Sequence, residues 1–183
     1  MMITPTRLAG CFVYEPKVFF DSRGYFMETF NQRDFNEISG LEIKFVQDNQ
    51  SFSSKGVLRG LHYQIGEHSQ SKLVQVLQGS VLDIAVDIRP ESKTYGQYHA
   101  EILNDINHKQ LFIPKGFAHG FLVLSDTALF FYKCDQYYCA ESEGGILYND
   151  AFLNIDWQLP EKDLIVSEKD LKLPGIQQAK KIW

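Results

Sequence analysis

In Gly56-Val-Leu-Arg-Gly-Leu-His-Tyr-Gln64, an arginine and a histidine stand among leucines and glycines. A core strand has no use for either, and a solvent-facing strand has no use for so many apolar neighbours. An imidazole titrates near neutral pH, so His62 is a candidate general base; its bland alternative is a hydrogen-bonded core histidine. Lys72, at the head of "KLVQVLQGS", offers either a cation for developing negative charge or a rim lysine lying along a strand. Tyr132, in "LFFYKC", offers a phenolic acid or a buried tyrosine tied to a neighbour. Asp170 stands three residues after Ser167 in "SEKD", the place of a capping-box acid, and on the residues alone capping is the stronger reading.

Period-two alternation must position these groups. In Ser80–Arg89, Leu82, Ile84, Val86 and Ile88 share one face, and Val81, Asp83, Ala85 and Asp87 share the other. Comparable runs predict strands at 11–20, 25–30, 43–49, 56–64, 72–78, 97–103, 110–114, 119–124 and 128–135, separated by turns such as "DSRG", "LQGS" and "IPKG". In the last of these, Phe130, Tyr132 and Cys134 face one side. "QRDFNEIS" is at most a short helix, and the tail from Leu159 reads as short helical turns docked on a β body. Many strands without intervening helices predict an all-β sandwich, jelly roll or barrel, as one domain over 1–183.

Composition narrows the function. A net charge of −5 gives nucleic-acid binding no global support. The absence of a long apolar run argues against a membrane span, and three cysteines, an odd number, fit reduced thiols in the cytoplasm. Cys134 and Cys139 lack the second ligand pair of a zinc site.

Gly56, His62, Lys72, Gly79 and Pro114-Lys-Gly-Phe-Ala-His119 resemble the two-part motif of the cupin superfamily of small β-barrels. Metal-binding cupins carry a second histidine where this chain has Gln64, and a glutamate where it has Lys72. A protonated lysine repels a divalent cation, so a barrel without metal is expected, and no cofactor. "FFDSRGYFMETF", "FVQDNQSFS", "GVLRGLHYQ", "SKLVQVLQGSVLDIAVDIR", "QLFIPKGFAHGFLVLS", "YKCDQYY" and "ESEGGILYND", in order over residues 3–171, resemble the dTDP-4-dehydrorhamnose 3,5-epimerase family.

That resemblance implies a cupin-type jelly-roll homodimer that exchanges an N-terminal strand and inverts C3 and C5 of a dTDP-linked 4-keto-6-deoxyhexose. The reaction needs a base, an acid across the ring and a stabiliser for the enolate oxygen. The resemblance gives these roles to His62, Tyr132 and Lys72, and has Asp170 hold the histidine. It assigns Arg23, Glu28, Gln47, Asp48, Asn49, Arg59, His119, Glu143 and Lys169 to nucleotide or sugar, and stacks Tyr138 on thymine. A single-centre epimerase, a ketoisomerase, a metal-dependent cupin enzyme and a non-catalytic nucleotide-sugar binder are the alternatives. Strict alternation leaves Arg59 and His62 on opposite faces; a bulge at Gly60, or a partner subunit's pocket for Arg59, would reconcile them.

Overall fold

The computed structural model describes residues 1–183. Its strands are β1 (Met2–Pro5), β2 (Phe12–Glu15), β3 (Val18–Asp21), β4 (Gly24–Met27), β5 (Gln47–Ser54), β6 (Val57–Gln64) and β7 (Lys72–Gln78). There follow β8 (Ser80–Asp87), β9 (Tyr98–Asn104), β10 (Gln110–Ile113), β11 (Phe117–Val123), β12 (Thr127–Cys134), β13 (Glu143–Gly145) and β14 (Ile165–Val166). One sheet runs β1-β2-β10-β7-β12-β5 and the other β13-β6-β11-β8-β9, with β14 added parallel to β6. The β3–β4 hairpin belongs to neither. This is an all-β jelly roll of cupin type, and the helix α1 (Gln32–Ser39) is the sole α-helix.

The alternation in β8 separates two cores. Val81 and Ala85 point between the sheets, where they join Val74 and Val76 of β7, Phe121 of β11 and Phe130 of β12. Leu82, Ile84, Val86 and Ile88 point outward and are covered by Ile146, Tyr148, Leu153, Trp157, Ile176 and Ile182 of the C-terminal segment. Residues 146–182 are therefore the lid of a second core, to which the docked tail expected from Leu159 contributes Ile176 and Ile182. On the outer face of the first sheet, α1 seats Phe35 against Phe12, Tyr14, Leu73 and Phe112. Asn31 caps this helix by accepting from the backbone N–H groups of Arg33 and Asp34, and Gly40 ends it at φ 68°.

Two predicted strands need correction. The run 11–20 is broken at Pro16-Lys17 into β2 and β3, because proline withholds a ladder donor. The strand expected at 43–49 lies instead at Gln47–Ser54, while Ile43 and Phe45 pack as loop residues beside Phe35. β5 pairs with β12 along its whole length, Gln47 opposite Cys134 and Ser54 opposite Thr127. Its inner face borders a polar cavity and its outer face borders solvent, so apolar alternation never marked it.

Candidate active site

The sheets part at one end around a cavity of about 560 Å³. His62 enters it from β6, Lys72 from β7, His119 from β11 and Tyr132 from β12; Asp170 arrives on the C-terminal segment. The His62 ring nitrogen Nε2 lies 2.8 Å from Asp170 Oδ1. Asp170 Oδ2 also accepts the Gly60 backbone N–H at 3.3 Å. Burial pushes the Asp170 carboxyl up, but the hydrogen bond and charge of His62, with the Gly60 N–H, outweigh it and hold the group below its ordinary value. An ionised carboxylate accepts Nε2–H, which leaves Nδ1 as the basic nitrogen. The capping reading survives in half: Ser167 Oγ accepts the Asp170 backbone N–H at 3.1 Å, while the aspartate side chain turns to His62.

Gly60 reconciles Arg59 with His62. Across from it the β6–β11 register shifts: His119 opposes His62, yet Phe121 opposes Arg59. The Gly60 φ is 129°, a conformation closed to other residues, and both Arg59 and His62 line the cavity. Arg59 Nε donates to Ser53 Oγ at 3.2 Å and has no carboxylate partner, so its guanidinium is free for an anion.

Tyr132 and Lys72 belong to the sheet facing His62. Burial raises the Tyr132 phenol above its ordinary value, and the Arg59 charge offsets this only in part, so it remains a proton donor at neutral pH. Lys72, half-buried as a residue, brings its ammonium into a desolvated position 5.7 Å from the Tyr132 ring centre. Burial lowers its pKa, against smaller opposing effects of Cys134, Asp83 and Glu143. A second histidine–carboxylate pair lies beside the first: His119 Nε2 is 3.0 Å from Oδ2 of Asp83, which is fully buried. Burial lowers the His119 pKa, Asp83 opposes, and Lys72 and His62 add to the lowering, so this imidazole is neutral at pH 7.

A second cavity of about 260 Å³ shares His62 and Lys169 with the first. At its edge Lys169 Nζ bridges both Glu143 oxygens at 2.8 Å, and the Tyr138 hydroxyl donates to Glu143 Oε2 at 3.1 Å. Three polar side chains are thereby joined into a rim beside His62. Other expected residues stand apart. Asp48 faces outward and pairs with Lys133 at 2.9 Å. Gln47 and Asn49 bond each other at 3.0 Å just beyond the cavity wall. Arg23 pairs with Asp21 at the tip of the β3–β4 hairpin, and Glu28 follows that hairpin beside α1, away from this chain's own cavity. No three His, Cys, Asp or Glu side chains are grouped to hold a metal ion.

The family model for dTDP-4-dehydrorhamnose 3,5-epimerase matches residues 5–178. The chain belongs to the dTDP-4-dehydrorhamnose 3,5-epimerase family. It is 50% identical over 182 residues to the Salmonella typhimurium dTDP-4-dehydrorhamnose 3,5-epimerase, covering 98% of this chain and 97% of that one. The crystal structure of the Elizabethkingia anophelis enzyme superposes with a TM-score of 0.94 at 51% identity, covering 100% of this chain and 99% of the other. The Legionella pneumophila epimerase, solved in complex with dTDP-4-keto-L-rhamnose, gives 0.93 at 48% identity over 97% and 93%. Sequence reasoning missed two polar residues at or behind this cavity, Ser51 in its wall and Asp83 behind His119. Asp83 was visible as a carboxylate on an inward-facing strand position, but nothing in the spacing tied it to His119. Ser51, whose buried hydroxyl has no partner, lines the cavity on a strand that apolar periodicity did not mark.

Proposed function

We propose that this chain, as one domain over 1–183, inverts C3 and C5 of dTDP-4-dehydro-6-deoxy-D-glucose to give dTDP-4-dehydro-L-rhamnose. The observation that carries the reading is the His62–Asp170 pair on one sheet of the cavity with Tyr132 and Lys72 on the other. The His62 Nδ1 lone pair removes the proton beside the C4 ketone, and the electron pair moves onto the C4 oxygen. Lys72 holds that oxyanion, and Tyr132 returns a proton to the opposite face of the carbon, which inverts it. His62 then releases its proton to solvent and Tyr132 regains one from solvent, and a second round at the other carbon completes the product. Arg59 and Lys169 supply cations for the diphosphate, and Tyr138 supplies a ring for thymine.

The β3–β4 hairpin supports a homodimer. It exposes Phe19, Phe20, Tyr25 and Phe26, each more than half accessible, on an arm detached from both sheets. Seated on a second copy, that arm carries Arg23 and Glu28 toward the partner's pocket. The three unpaired cysteines fit a reducing cytoplasm. The test of the reaction couples purified protein and the dTDP-4-keto sugar to a 4-keto-L-rhamnose reductase and follows NADPH oxidation. Turnover is expected with the wild type and absent with His62→Ala; equal turnover in both would remove His62 as the base.

A further inference from the structure

Residues 136–139 carry two tyrosines into solvent, yet their backbone is held at every step. Gln70 Nε2 donates to the Gln136 carbonyl at 2.8 Å, and Gln64 Nε2 to the Tyr137 carbonyl at 3.3 Å. Gln47 Oε1 accepts the Tyr138 N–H at 3.0 Å, and Gln64 Oε1 accepts the Cys139 N–H at 2.6 Å. Three glutamine amides from three places in the chain thus fasten four consecutive residues, while Tyr137 and Tyr138 remain 63% and 56% exposed. A loop ordered only for stability would bury its aromatic rings; this one fixes its main chain and presents them.

Gln64 is the centre of the arrangement. It is buried, and its Nε2 also donates to the His68 carbonyl at 3.0 Å, so its amide is fully engaged by backbone. It stands two residues from His62 on the same face of β6, roughly 6.6 Å along the strand. One strand therefore carries both the candidate base and the side chain that sets the aromatic loop. We propose that Gln64, with Gln47 and Gln70, is a positioning residue that pre-organises Tyr138 as the platform for the nucleobase and fixes its distance from His62. The inference rests on the reading of Tyr138 as the base-stacking ring. It gives Gln64 a role in place of metal ligation, and gives Gln47 a loop-holding role through its bond to the Tyr138 N–H. Pre-organisation raises affinity by removing the entropy of ordering the loop at the moment of binding.

The test is a double-mutant cycle on thymidine diphosphate affinity, measured by titration calorimetry, with Gln64→Leu, Tyr138→Ala and the double variant. Gln64→Leu is expected to weaken binding about tenfold, part of the range for one stacked base. In turnover the loss should fall on KM, with kcat and solvent-proton exchange moving far less. In the Tyr138→Ala background the Gln64→Leu effect should vanish, since the loop has no ring left to place. Additive effects, or unchanged affinity in folded Gln64→Leu, would overturn the proposal. Unchanged affinity in Tyr138→Ala alone would instead overturn the stacking reading beneath it. If Gln64→Leu does not fold, Gln70→Ala enters the same cycle with the same expected and contrary outcomes.

Discussion

At the scale of single residues, two histidine–carboxylate pairs share one cavity but differ in burial, and burial separates what they can do. His62 keeps a third of its side chain accessible, whereas His119 is buried and held neutral. Asp170→Asn should lower kcat by about 10²–10⁴, since the amide no longer selects the tautomer with Nδ1 free; steady-state rates with circular dichroism as a folding control would check it. Lys72 sets a pH limit of known sign. Its ammonium is the active form and its pKa lies below the ordinary 10.5, so activity should fall as pH rises through that lowered value. The alkaline limb of kcat/KM should therefore begin below 10.5, and Lys72→Met should lose the limb along with most of the rate. His62 and Lys72 were legible as polar residues in apolar strands. Asp170 was legible only through the family resemblance, because its spacing from Ser167 satisfies a local cap and its contact with β6 spans more than a hundred residues.

Among the elements, β6 and β8 carry the most. A Cβ at Gly60 would lie 2.5 Å from the Gly120 Cα and 2.8 Å from the His119 carbonyl oxygen. Gly60→Ala should therefore destabilise the fold by about 3 kcal/mol or more and spread Arg59 from His62, visible as a lowered Tm and lost turnover. At the end of β8, Asp87 is fully buried and accepts from Arg89, Ser92 and Thr94. Burial pushes its carboxyl up, but those bonds together hold it below the ordinary carboxylate value. Its contribution to stability is thus present above the unfolded carboxylate pKa and lost as pH falls through the folded one. Asp87→Asn should cost about 3 kcal/mol at pH 7 and flatten the acid limb of the stability profile, measured by urea titration across pH. Strands with one apolar face were readable from alternation. β5 was not, because its one large apolar side chain, Phe52, is exposed on the outer face and polar side chains dominate the rest of the strand.

At the scale of the whole molecule, the hairpin arm decides whether a pocket is complete in one chain. Arg23 and Glu28 carried no positional signal beyond family resemblance, since a turn arginine beside an aspartate also explains itself locally. If the arm serves a partner, Arg23→Ala and His62→Ala proteins, each inactive alone, should recover activity on mixing and subunit exchange. The mixed dimer then holds one pocket with both His62 and a donated Arg23; no recovery after confirmed exchange would return the arm to its own subunit. The jelly roll, its covered outer faces and the proton-transfer groups between the sheets converge on one claim, that both carbons flanking the ketone are inverted. It is tested most directly by incubating the enzyme with dTDP-4-dehydro-6-deoxy-D-glucose in heavy water and locating deuterium by NMR. Deuterium at both C3 and C5 is the expected result, and label at one carbon only, or at neither, would contradict it.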